Sequence, residues 1–297
     1  MFILLGTPED PCLAAVGRAL AGRSRESLVI GDPFMDPAGT AWRFDGGGSD
    51  TVLSVGGSTI PVEGVLAARR AARPFEKSEQ WTQQDLLYLH AEADAALLGW
   101  LWGLPCPVID RLPAWLWYGI RRPIVAWGPL LRQHGLPPLA SVVTGHADEL
   151  SRFMQRQAGA ALEPIAGAGV RHLVQPSGVQ HVAETAPMAP VRLTELHEGG
   201  WRACVAGPHV VWDDGTPEAA RHLSSRLAVF AAAAGLAFVE FVIASGETPR
   251  TVDIEHRPRF ELFGSTAQAA IADGVAEALV SGSGVPARTK ATSRALP

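Results

Sequence analysis

The sequence predicts a mixed α/β (α+β) protein: an N-terminal lobe on a parallel sheet, then antiparallel sheets packed with helices. Three observations carry this. FILLG (2–6) and SLVIG (27–31) are apolar runs of strand length on either side of a helical stretch, the spacing of a βαβ unit. Residues 160–163, 171–175, 191–196, 202–206 and 209–213 read as an antiparallel set of short strands. Three segments, 83–102, 216–234 and 264–280, are long enough and apolar enough for packed helices.

Taken in order, FILLG reads as a buried first strand, and TPEDP as a turn that opens a helix over 11–21. AWRF, TVLSVGG and STIPVEGVL are short strands split by glycine-rich turns, including Gly46, Gly47 and Gly48, in a hairpin pattern. In 83–102, Leu86, Leu89, Ala93, Leu97 and Trp100 recur at three- and four-residue steps. A second helical stretch over 113–134 is expected to break at Pro123 and Pro129. SVVT (141–144) is a strand, and Thr144 or Asp148 is expected to cap the helix that runs to Gln157. AFVEFVIA and RTVDIEH are strands joined by the turn SGETP, a last helix follows, and the tail from 282 to 297 has linker composition.

Composition narrows function. Apolar residues make up 47% of the chain, enough for a packed core, so bulk disorder is excluded. The net charge of −5 argues against a dedicated nucleic-acid binder. No apolar run is long enough for a membrane span, and MFILLGTPED turns acidic at once, unlike a secretory signal. Cys12, Cys106 and Cys204 lie far apart in no metal spacing and suggest reduced thiols in a cytoplasm. Of the 25 basic residues only Lys77 and Lys290 are lysines, so chemistry needing an ammonium between them has none to use.

Four segments, AEADAALLGWLWGLPCPVID, LLRQHGLPPLASVVTGHADELSRF, GGWRACVAGPHVVW and DIEHRPRF, stand in an order and at gaps that resemble the ATP-grasp superfamily. The resemblance is strongest to the peptide ligases that cross-link side chains in graspetide (microviridin-type) peptides, and covers about 80–280. It implies a pre-ATP-grasp-like lobe at 1–112, a central or lid subdomain at 113–190, a C-terminal ATP-grasp-like subdomain at 191–281, and a disordered tail at 282–297. It also implies a chemistry. Phosphate from ATP activates a carboxylate as an acyl phosphate, which an amine or hydroxyl then attacks, while cations and magnesium neutralise the phosphates.

Against that kit the residues depart. Arg121 or Arg122 matches the first phosphate lysine, and a guanidinium is a different ligand from an ammonium. In ALEPIAGAGVRHL, Pro164, Gly167 and Gly169 match the second lysine's strand, yet Glu163 stands where the ammonium belongs, unless Arg171 serves instead. A like-charge contact at roughly 4 Å costs about 4 kcal/mol at an effective dielectric of about 20. Leu193 and Thr194 fall where the family has its Gln-Glu adenine hinge. Arg202 matches the phosphate-facing Arg and reads equally as an exposed strand Arg. Asp253 and Glu255 alternate onto one face of the metal strand, where they either ligate magnesium or pair with Arg257 and Arg259. Glu240 and Val242 are equal candidates for the neighbouring strand's metal-site position. His90, Glu92 and Asp94 do not share a helix face and do not form a metal site.

Tryptophans cluster at Trp100, Trp102, Trp115, Trp117 and Trp127, with Tyr118. Trp100 reads as core. Trp115, Trp117 and Tyr118, next to Arg121 and Arg122, suit a recognition surface for a peptide with acidic residues, which the resemblance makes a precursor peptide. Three functions are therefore in view. The first is a catalytically degenerate ATP-grasp homologue, a pseudoenzyme that binds a precursor peptide among the enzymes of a natural-product cluster and expects no cofactor. The second is an active carboxylate–amine or ester-forming ligase that uses Mg-ATP with Arg in place of Lys. The third is a small-molecule-binding or structural partner of a larger synthetase. Relatives are often dimers, so a homodimer is also implied.

Overall fold

A computed structural model describes residues 1–31, 41–42, 53–55, 58–67, 81–111, 124–157, 159–165, 172–178, 180, 182, 184, 189–197, 199–246 and 249–282. Its first sheet is fully parallel, in the order β2 (Ser27–Ile30), β1 (Phe2–Leu5), β6 (Gly64–Leu66), β7 (Val108–Ile109). Helix α1 (Pro11–Gly22) supplies the first crossover. It starts where the sequence places it: the Asp10 carboxylate accepts from the N–H groups of Cys12 and Leu13, and Pro11 sits at the first helical position. The expected strand STIPVEGVL divides. Its first part, β5 (Ser58–Ile60), closes an antiparallel hairpin sheet with β3 (Ala41–Trp42) and β4 (Leu53–Val55), while its second part is β6 of the parallel sheet. Pro61 between them lacks the N–H that a continuous ladder needs.

Helix α2 (Gln83–Gly103) opens on a capping box, in which Thr82 and Asp85 satisfy each other's backbone N–H groups. Helix α3 (Ile124–Gln133) runs through Pro129 rather than breaking there. At the sixth helical position the ring removes only one intrahelical bond. Next come β8 (Ser141–Thr144) and α4 (Ala147–Gln155). The expected cap is not formed: the Thr144 hydroxyl accepts from His146 N at 2.9 Å, and His146 precedes the helix without a side-chain cap. Asp148 lies in the first turn, where its charge still suits the helix dipole.

The second sheet, here the central sheet, is antiparallel in the order β10 (His172–Val174), β9 (Ala160–Glu163), β11 (Val191–Glu195), β8. Thus β11, the first strand of the expected 191–281 subdomain, is hydrogen-bonded between two strands of the expected 113–190 one. The C-terminal sheet is also antiparallel: β13 (His209–Trp212), β12 (Gly200–Ala206), β14 (Phe238–Ala244), β15 (Arg250–Glu255). The helix expected over 216–234 is two pieces, α5 (Glu218–Arg221) and α6 (Ser224–Ala234). At the break the Ser224 hydroxyl donates to Arg221 O and accepts from the Trp212 indole N–H. Helix α7 (Ser265–Ser281) closes the described fold.

Alternation along β1 shows how the core is shared. Ile3 and Leu5 join Trp100, Trp127, Phe230 and Phe241 in one cluster, while Phe2 and Leu4 join Leu13, Cys204, Phe238 and Val275 in another. Phe230 meets Trp127 and Phe241 edge-on, at centroid distances of 5.7 and 5.5 Å. The N-terminal sheet and the C-terminal sheet therefore share two cores. The central sheet has its own, built on Leu150, Met154, Ala160 and Leu193. Gly207 turns the chain from β12 to β13 at φ +59°, and a Cβ there would stand 2.4 Å from that of Ala278. Only glycine lets α7 lie this close.

Candidate functional site

The site expected from the sequence is spread over the central and C-terminal sheets. In the central sheet Arg192 lies directly across from Glu163, and Thr194 across from Ala161, one row on. Pairing in register puts Glu163, Arg192 and Thr194 on one face. Arg192 Nη2 stands 3.0 Å from Glu163 Oε2, and the Thr194 hydroxyl donates to the same oxygen at 3.0 Å. Both charged side chains are largely buried, at 14% and 8% exposure. Among the described residues, the acid expected to confront a triphosphate alone is paired with Arg192. Arg192 is the residue sequence reasoning missed; the alternation in VRLTE puts it beside Thr194, but only the strand register brings it to Glu163.

Leu193 and Thr194 sit inside a central strand, paired with Val142 and Ser141 on one side and Leu162 and Ala161 on the other. Their backbone groups are engaged in the sheet, and the Leu193 side chain points into the central sheet's own core. The strand ends at Glu195, whose carboxylate meets Arg250 Nη1 at 2.5 Å, a pair also absent from the sequence reading.

In the C-terminal sheet two cross-strand rows form. Arg202, Val242 and Asp253 make one, and Cys204, Glu240 and Glu255 make the other. This decides between the two candidates on β14: Val242 lies opposite Asp253, and Glu240 opposite Glu255. One residue further the β14–β15 register shifts, so that Ile243 pairs Thr251 and Val252 is extra.

Glu240 is fully buried and is the centre of the cluster. Arg202 Nη1 donates to its Oε1. Arg259 donates Nη2 to the same oxygen at 2.6 Å, and its Nε and backbone N to Oε2 at 3.2 and 2.8 Å. Arg259 Nη2 also lies 3.7 Å from Asp253 Oδ2. Burial works against the Arg259 charge, and the hydrogen bond to Glu240 with the charges of Glu240, Asp253 and Glu255 outweighs it, raising its pKa. Glu255 Oε1 accepts from Arg257 N at 3.2 Å and lies 3.5 Å from the buried His256 Nδ1. Arg202, Arg259, Glu240 and Asp253 together carry no net charge.

These donors decide how a magnesium–triphosphate group fits. Asp253 and Glu255 offer carboxylates on one face, but Val242 brings no oxygen to their row, and Glu240 is taken by two arginines. Among the described residues no three His, Cys, Asp or Glu side chains are grouped to hold a metal. Among the described residues Asp253 and Glu255 keep carboxylates on one face, and the neighbouring carboxylate, Glu240, is engaged by Arg202 and Arg259. Trp115, Trp117, Tyr118, Arg121, Arg122 and Arg171 lie outside the described residues. Of the other tryptophans, Trp100 and Trp127 are core, at 0% and 3% exposure, and Trp102 is exposed.

No protein-family model and no curated protein matches the chain. Solved structures do. The RiPP-associated ATP-grasp ligase of Chryseobacterium gregarium, in complex with ADP and a leader and core peptide, is 12% identical, with a TM-score of 0.76 over 95% of this chain and 97% of that one. The ATP-grasp ligase PsnB complexed with minimal precursor is 19% identical, with a TM-score of 0.75 over 94% and 98%. The macrocyclase MdnC of Microcystis aeruginosa MRC, bound with precursor peptide MdnA, is 13% identical, with a TM-score of 0.75 over 95% and 100%. The chain has the fold of these ATP-grasp ligases over almost its whole length. Among its described residues no helix is long and apolar enough to cross a membrane.

Proposed function

We propose that this chain is an ATP-grasp-like protein that binds a precursor peptide in the biosynthesis of a ribosomally made, modified peptide, and that it does not itself ligate. The observation that carries the second half is the Glu163–Arg192 pair. A nucleotide ligase holds its phosphates with cations that are free to face them. Here the position matched to the lid ammonium carries an acid, and the cation beside it among the described residues, Arg192, is committed to that acid. Arg202, matched to the phosphate Arg, is likewise committed to Glu240. A phosphate arriving at either place would have to displace a carboxylate already hydrogen-bonded in a largely dry setting. Losing one contact of this kind removes about 4 kcal/mol at an effective dielectric of about 20.

The peptide half is supported by the fold, whose solved examples include complexes with leader, core and precursor peptides. The surface we assign to it is Trp115, Trp117 and Tyr118 with Arg121 and Arg122. On this reading the protein works in the cytoplasm beside the other enzymes of its cluster, as a homodimer.

Calorimetric titration of the full chain tests both halves, first with any short peptide encoded beside its gene and then with Mg-ATP. The expected result is peptide binding without nucleotide, no saturable Mg-ATP binding in the micromolar range, and no phosphate release when both are present. Phosphate release on adding peptide would overturn the reading in favour of a ligase that uses arginines. Glu163→Lys is the complementary probe and is expected to gain nucleotide affinity.

A further inference from the structure

We infer that the cavity between α3 and α4 binds a carboxylate carried on an apolar body. The cavity is about 490 Å³, within the range of small-molecule sites. Ile124 of α3, Leu139 of the segment leading into β8, and Phe153 of α4 give it apolar walls. Arg132 and Arg156 line the same space, and among the described residues no Asp or Glu does.

Arg23, Arg192, Arg202, Arg250 and Arg259 each face a carboxylate at 3.0 Å or closer. Among the described residues Arg132 and Arg156 face none. Arg156 Nε donates to Arg152 O at 3.2 Å, which leaves the outer nitrogens of its fork to a ligand. The Arg132 guanidinium lies along Gly128, 3.5 Å from where a Cβ would stand. Two planar forks over an apolar floor suit a group that accepts two hydrogen bonds and brings hydrocarbon with it.

The floor is fixed in advance. Leu139 N donates to Thr251 O at 3.1 Å and Thr251 N to Pro137 O at 2.8 Å, tying this segment to the edge of β15. A ligand therefore spends little binding energy on ordering the wall. The cavity shares no lining residue with the Glu163 or Glu240 clusters, so it goes beyond the proposed function and stands whether or not nucleotide binds.

The test uses the full chain labelled with ¹⁵N and four probes: phenylacetate, phenylacetamide, acetyl-Phe-Glu-amide and acetyl-Phe-Gln-amide. A carboxylate probe is expected to shift the amide signals of Gly128, Leu139 and Ser141, with its amide counterpart much weaker. Arg132→Gln and Arg156→Gln each alter an exposed side chain, so the fold survives, and each is expected to weaken binding about tenfold. Arg132→Lys keeps the charge without the fork and should fall between. Binding of phenylacetate identifies free small acids as the source; binding of the Glu peptide alone identifies an acidic residue in a peptide. The inference is overturned if neither carboxylate shifts those signals, if the amides bind equally well, or if both Gln variants bind like the parent.

Discussion

Among the described residues, one guanidinium, Arg192, answers the carboxylate of Glu163 in the central sheet, and two answer that of Glu240 in the C-terminal sheet. Depth accounts for the difference. Glu163 keeps some solvent exposure, and Thr194 adds a hydroxyl donor beside the Arg192 guanidinium. Glu240 has none, and a carboxylate taken wholly out of water needs every lone pair occupied before its desolvation is offset. Arg259 alone supplies three donors, and Arg202 a fourth. Asp110 extends the comparison: fully buried at the end of the parallel sheet, it is held by the backbone N–H groups of Ala237 and Phe238. Burial pushes its pKa up to about 7 against those two hydrogen bonds. Two N–H dipoles do less for a buried charge than guanidiniums do.

The comparison breaks first, if it is wrong, at Arg259. Arg259→Met removes two side-chain donors from a carboxylate with no route to water. It should cost about 3–5 kcal/mol in urea unfolding; a loss below about 1 kcal/mol would mean that other donors satisfy Glu240.

Asp110 gives the next largest effect, as a pH dependence. Folding raises this carboxyl from its ordinary value of about 4 to about 7, so the native state holds the proton more tightly than the unfolded chain. Its favourable contribution is complete below about pH 4 and is lost as pH rises through about 7. The loss is on the order of 4 kcal/mol. Asp110→Asn keeps the oxygen acceptor and discards the charge. Its stability should therefore decline less than the parent's between these pH values; parallel curves would reject the assignment.

In the central sheet, Arg192→Met should cost about 2 kcal/mol, and adding Glu163→Gln should recover part of it, a coupling that a double-mutant cycle measures. The smallest effect is expected at Arg202. Arg202→Met leaves Glu240 with all three Arg259 donors and should cost about 1 kcal/mol in the same urea titration. If Arg202→Met proves as damaging as Arg259→Met, the two arginines share the charge equally and the depth argument needs revision.

The sequence made the N-terminal lobe legible because its signals are local. An apolar strand, an Asp-Pro helix start and a second apolar strand are read within about thirty residues. It also placed Asp253 and Glu255 on one face, since alternation needs only the strand itself. What it hid depends on register between strands far apart in the chain. Arg192 meets Glu163, and Val242 rather than Glu240 meets Asp253, through pairings that no single segment encodes. STIPVEGVL looked like one strand because its apolar content continues across Pro61, while the ladder does not. Trp127, a member of the tryptophan cluster over 100–127, is core because α3 turns it toward Phe230. The adenine-hinge reading of Leu193 and Thr194 rests on an alignment of residue types; both residues lie inside a central strand.

The bonds that join the 136–139 segment to Thr251 lie along one border of the central sheet, the side of β8. With the Glu195–Arg250 contact, they hang this four-stranded panel from the C-terminal body as a door hangs from one jamb. Any swing that preserves them is a rotation about that jamb. With strands about 4.8 Å apart, β10 lies about 14 Å from it, so a ten-degree turn carries β10 about 2.5 Å while β8 scarcely moves. The free stile of the door is therefore where Leu173, 70% exposed, travels farthest.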